Sequence, residues 1–81
     1  MSRQGRFETA IYRDSEIRVR AEQADVGAHW HVWVDVYVNG KTRLPRVAVP
    51  GPGWETCQEA ISQGFRAGRQ LVDTRTTRVL A

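Results

Sequence analysis

The stretch His29-Trp30-His31-Val32-Trp33-Val34-Asp35-Val36-Tyr37-Val38 decides how the rest of the chain is read. Side chains of a strand alternate between faces, so Trp30, Val32, Val34, Val36 and Val38 share one side, and His29, His31, Trp33, Asp35 and Tyr37 share the other. The valine column requires a core against it. The second column, with two imidazoles and two aromatic rings in a row, is an unusual face to leave in water and is where a functional reading begins.

Upstream of this strand, residues 17–22 alternate apolar with charged, and residues 7–12 have strand composition. Arg13-Asp14-Ser15-Glu16 reads as the polar turn between them, and Gln23 to Ala28 as the next connection. Downstream, Asn39-Gly40 is a two-residue hairpin signal, since both residues tolerate positive φ. A fourth strand over about residues 42–49 should return beside the third. Pro45 inside it cannot donate to a ladder and places it on an edge.

Pro50-Gly51-Pro52-Gly53 then halts any strand, and Thr56-Cys57-Gln58-Glu59 has the form of a capping box. The helix that follows carries Cys57, Ala60, Ile61, Gly64, Phe65, Gly68, Leu71 and Val72 on one stripe, at spacings of three and four. Gly64 and Gly68 each cost the helix about 1 kcal/mol relative to Ala. A close seat on the sheet would offset that, with Trp30 or Phe65 filling the space. The expected fold is α+β: an antiparallel meander of three to four strands with one C-terminal helix on one face, in the order β-β-β-β-α. It forms a single domain over residues 1–81, with 1–6 and 74–81 as flexible arms.

An 81-residue chain is one small domain with room for one sheet-and-helix core. No apolar run approaches the ~20 residues that span a bilayer, and Met1-Ser2-Arg3-Gln4-Gly5-Arg6 is no apolar leader, so a cytoplasmic location is expected. The lone Cys57 excludes an intramolecular disulfide and any cysteine-based metal knuckle, and reads as a small core residue. The net charge is +3, and every basic residue except Lys41 is arginine. So modest an excess does not establish nucleic-acid binding unless it clusters on one face.

Keeping the apolar sets aligned, the sequence favours a register with Glu22 opposite His29, Arg20 opposite His31 and Arg18 opposite Trp33. A two-residue turn then sets Tyr37 against Thr42, Asp35 against Leu44, Trp33 against Arg46 and His31 against Ala48. The outer face acquires a row Arg18, Trp33, Arg46, an indole between two guanidinium groups. The candidate interaction surface is therefore Trp33, Arg18, Arg46, Arg20, His31 and Tyr37. Its simplest use is binding a protein, with self-association of two sheets as one version, because Trp, Tyr and Arg are the residues of interface anchors. Single-stranded nucleic acid is an alternative, with bases stacked on the rings and phosphates on the arginines. The same residues also serve simply as cross-strand pairs that stabilise an exposed sheet.

A metal site at His29 and His31 is a further alternative, with Glu22 as a third ligand. Arg20 beside His31 opposes it, and Asp35 lies about 13 Å along the strand, out of reach. No enzyme, cofactor or small-molecule substrate is expected: Cys57 lies on the helix's apolar stripe, away from both histidines, and Pro-Gly-Pro-Gly lacks the lysine and glycine spacing of a phosphate loop.

The segment from Tyr12-Arg13-Asp14 through Val47-Ala48-Val49-Pro50-Gly51 and Thr56-Cys57-Gln58-Glu59-Ala60-Ile61 resembles small uncharacterised bacterial β-sheet-plus-helix proteins. It is also similar in layout to the sheet-and-helix half of HicB-type antitoxins, where a Pro-Gly turn precedes a Thr-x-x-Glu-Ala helix. The resemblance covers residues 12–73 and implies a protein partner, in that family a small toxin ribonuclease. The family's second, DNA-binding domain has no counterpart in the eight residues after Asp73, so operator binding is not expected.

Overall fold

The computed structural model describes residues 4–39 and 41–80, with side chains described through Thr74. Five strands, β1 (Gln4–Tyr12), β2 (Ser15–Gln23), β3 (Trp30–Val38), β4 (Thr42–Arg43) and β5 (Val47–Ala48), precede one helix, α1 (Cys57–Leu80). The sheet is antiparallel in the order β1-β2-β3-β4, with β5 also pairing β3, so the expected α+β meander with a C-terminal helix is the architecture found. Of the segments expected as arms, Gln4 to Arg6 belongs to β1 and Thr74 to Leu80 to α1. Residues 1–3 and 81 lie outside the described residues.

Period-two alternation puts Ile17, Val19 and Ala21 of β2 and Val32, Val34 and Val36 of β3 on one face. All six are buried beneath Ala60, Ile61 and Val72 of the helix. Gly64 and Gly68 lie at the centre of that contact. A β-carbon on Gly64 would stand 2.5 Å from Val19 Cγ1 and 2.9 Å from Val32 Cγ2; one on Gly68 would stand 2.5 Å from Ile17 Cγ2. The helix glycines are thus explained by close approach, but the atoms that fill the space belong to these strand residues, not to Trp30 or Phe65. Thr56 caps the helix: its hydroxyl accepts from the Glu59 amide at 3.1 Å and donates to Glu59 Oε1 at 3.1 Å. The Glu59 carboxylate therefore meets the hydroxyl of Thr56, where a full capping box would have it meet the amide.

Three local features correct the expected pairings. The first hairpin turns in two residues, Arg13 and Asp14, whose φ of 49° and 62° are those of a type I′ turn, with Tyr12 opposite Ser15. Ser15 and Glu16 therefore belong to β2. Between β2 and β3, Ala28 N donates to Asp25 O at 3.0 Å, Gly27 takes φ 83° and Gln23 Nε2 donates to Ala28 O at 2.9 Å. This compact loop absorbs His29 and starts β3 at Trp30, so Glu22 faces His31, Arg20 faces Trp33 and Arg18 faces Asp35. The shift is two residues, which leaves every side chain on its expected face.

After β3 the pairing is Val38 with Thr42 and Tyr37 with Arg43, one residue off the expected turn, and Lys41 N donates to Val38 O at 3.0 Å. The single strand expected over 42–49 is split at Leu44-Pro45-Arg46. Five steps of chain from Arg43 to Ala48 oppose four from Tyr37 to Trp33, so an extra residue is accommodated where Pro45 has no N–H to give. Trp54 then bridges back to Trp30 through N–H···O bonds of 2.9 and 2.7 Å. Gly53, at φ 98°, lies so close that a β-carbon would be 2.7 Å from Trp30 O.

One helix does not reach the whole sheet. β1 is exposed along most of its length on both sides, and its tie to α1 is at one end: the Tyr12 hydroxyl lies 3.0 Å from both Asp73 carboxylate oxygens, with Arg13 Nε at 3.5 Å from Oδ1. Among the described residues no helix is long and apolar enough to cross a membrane.

Denaturant unfolding should show Gly64→Ala and Gly68→Ala each destabilising by about 1–3 kcal/mol despite the better helix propensity of alanine, because the added carbon overpacks the sheet contact. Gly5→Ala, whose added carbon meets nothing nearer than 3.8 Å, should be close to neutral. Thr56→Ala should cost about 1 kcal/mol through the lost cap.

Candidate interaction surface

Away from the helix, the sheet presents the even-numbered residues of β2 and the odd-numbered residues of β1 and β3 to solvent. Registered across the strands, they form ordered rows. Phe7, Arg20, Trp33 and Ala48 make one; Thr9, Arg18 and Asp35 the next; Ile11, Glu16, Tyr37 and Arg43 the third; Gly5, Glu22 and His31 close the far end.

The structure does not build the row expected from the sequence, with Trp33 between Arg18 and Arg46. Arg20 is the residue opposite Trp33 on β2, and Ala48 flanks it on β5. Arg18 instead extends diagonally, its guanidinium carbon 4.3 Å from the centroid of the Tyr37 ring, while its Nε donates to Glu16 Oε2. Arg46 forks onto Asp35, Nε to Oδ1 at 3.2 Å and Nη2 to Oδ2 at 3.1 Å. Arg20 lies 3.8 Å from Glu22. Hydrogen bonding to Glu16 and to Asp35 raises Arg18 and Arg46 further above an already high pKa, so both are permanent cations. Arg18, Arg20 and Arg46 each have a carboxylate within the same face, and the surface is nearly balanced in charge.

Two residues outside the set expected from the sequence also belong to this surface. Phe7 and Ile11 of β1 lie on the open side and are 56% and 71% exposed. A turn of two residues or of four at Arg13-Asp14 puts both opposite even-numbered residues of β2 and so on this face; the two-residue turn found decides only that Phe7 faces Arg20 and Ile11 faces Glu16. With Trp33 and Tyr37, both half-buried, they give the open face four large apolar groups separated by ion pairs.

The histidines are placed differently from each other. His31 projects from β3 opposite Glu22, so the neighbouring arginine argued against a metal at this position belongs one row further on. His29 is in the loop, its Nδ1 3.2 Å from Pro52 O. Among the described residues no group of three or more His, Cys, Asp or Glu side chains is arranged to hold a metal ion. Cys57 is half-buried at the margin of the core. Zinc added at neutral pH should leave the His29 and His31 resonances in place; stoichiometric shifts of both would show a site.

Compared with protein families, residues 5–80 match the model of a domain of unknown function, DUF6566. No curated protein and no solved structure matches the chain.

Proposed function

The chain belongs to the DUF6566 family, a domain of unknown function, and from the chemistry of its own surface we propose that it is a non-enzymatic protein-binding module that docks its partner on the open sheet face. The observation that carries this reading is the pairing of exposed apolar side chains with ion pairs satisfied inside the face. Phe7 and Ile11 leave most of their surface in water beside Trp33 and Tyr37, and a partner covering them gains the burial that the single helix cannot supply. Ring residues and arginines are the common anchors of such contacts. The similarity in layout to the sheet-and-helix half of HicB-type antitoxins supports a protein partner in the same way.

Single-stranded nucleic acid is the weaker reading on this geometry. Its affinity comes from cations that displace counterions from phosphates, and here Arg18, Arg20 and Arg46 already lie against Glu16, Glu22 and Asp35. A phosphate would have to compete with each of those carboxylates.

The test is affinity capture from the native host with wild type, a Phe7→Ala/Trp33→Ala double variant, and Arg66→Ala on the outer side of the helix. A partner protein should be retained by wild type and Arg66→Ala and weakened at least tenfold by the double variant, with all three folded by circular dichroism. Salt-sensitive binding of labelled oligonucleotides, lost in Arg18→Ala and Arg46→Ala, would replace the protein reading with the nucleic-acid one.

A further inference from the structure

We propose that the free edge of β1 is a docking edge for a second copy of this chain, pairing antiparallel about a twofold axis at Thr9. This interface does not rest on the open-face reading, although Phe7 and Ile11 border both. Because Arg13-Asp14 is a two-residue type I′ turn, Tyr12 and Ser15 are its hydrogen-bonded closing pair. Alternation from there directs the amides and carbonyls of Tyr12, Ala10, Glu8 and Arg6 toward β2. Those of Ile11, Thr9, Phe7 and Gly5 are directed outward.

β1 is the terminal strand of the sheet and runs nine residues in unbroken register with β2. It lacks the usual guards of an edge, having no proline, no lysine and no bulge. Its two charges, Arg6 and Glu8, lie 2.9 Å apart and cancel, so they do not repel an approaching strand.

A twofold axis perpendicular to the sheet keeps both open faces on one side and allows only registers that place odd-numbered residues opposite odd-numbered ones. Centring the axis on Glu8 would bring two carboxylates face to face. Centring it on Phe7 would leave Ile11 beyond the described strand of the other copy. With the axis on Thr9, Phe7 lies opposite the partner's Ile11 and Ile11 opposite the partner's Phe7. The two most exposed apolar residues of the strand thus cover each other twice. On the helix side the same register sets Arg6 beside the partner's Tyr12 and Glu8 beside the partner's Ala10, so no like charges of the two strands are opposed. The assembly is one continuous sheet through both copies, with two open faces side by side on the same surface.

Sedimentation from low- to high-micromolar concentration should show a reversible dimer in wild type. Thr9→Pro, which removes an outward amide without touching the β2 ladder, and Ile11→Lys should both be monomeric with native circular dichroism. Trp33→Ala, in the middle of the open face and away from the edge, should remain dimeric. In a Cys57→Ala background, Thr9→Cys should oxidise to a symmetric disulfide, since paired positions on the axis lie about 5.5 Å apart at Cα. A wild type that stays monomeric overturns the proposal. So does a dimer that survives Ile11→Lys, or one lost in Trp33→Ala, which would move self-association to the open face.

Discussion

At Gly64 and Gly68 the backbone of α1 comes within reach of the γ-carbons of Val19, Val32 and Ile17, and this seating determines which strands are covered and which are not. A helix about 10 Å across, laid on strands about 4.8 Å apart, covers roughly two of them. Here those are β2 and β3, where the residues under the helix, Ile17, Val19, Ala21, Val32, Val34 and Val36, are short enough to let it down. The glycines lose helix propensity, and the gain is a close-packed contact that makes the two central strands one body with the helix. β1 and the β4–β5 edge lie outside that footprint. Phe7 and Ile11, in turn, lie on the face opposite the helix, so their exposure follows from α1 packing on the other side of the sheet.

The faces of the sheet were readable from the alternation in residues 17–22 and 30–38, because a side chain on the wrong face would put an arginine into the core. The register was not. Sliding β2 by two residues against β3 preserves every face, so the choice between Arg18 and Arg20 as the neighbour of Trp33 lies in the loop, where Gly27 and the Gln23 side chain decide how many residues the turn consumes. Arg46 escaped for a related reason. Pro45 marks an edge strand as expected, but the turn after β3 and the split at Pro45 each add one residue, and together they move Arg46 from opposite Trp33 to opposite Asp35. The helix, by contrast, was legible through its cap and stripe, which depend only on local spacing.

Charge placement follows the same strand logic. Residues two apart on a strand share a face, so Glu16-Arg18 and Arg20-Glu22 are built-in same-face pairs, and Asp35 receives Arg46 from the returning chain. Arginine suits this role, since its planar fork binds a carboxylate while its flat face rests on a ring, as Arg18 does with Tyr37. The chain's +3 charge is thus poorly represented on the open face, where Arg43 is the cation in excess of Glu16, Glu22 and Asp35. A surface of this kind discriminates by shape and by local polarity more than by long-range attraction.

β1 is where these constraints meet. Its hydrogen bonds to β2 hold it along its whole length, and its hydrogen-bonded tie to the helix is at the Tyr12 end, through Asp73. Toward Gln4 it has no cover on either face, and Arg6 and Glu8 look across a groove to Gln58, Ile61, Ser62 and Phe65 of the helix without closing it. A strand so placed gains little from folding beyond its ladder and leaves two large apolar side chains in water. Adding another strand to its edge supplies a second ladder and covers those side chains without disturbing the helix seat, and the sheet's existing twist carries over into the added strand. No change in the helix could do the same, because α1 packs on the face opposite Phe7 and Ile11.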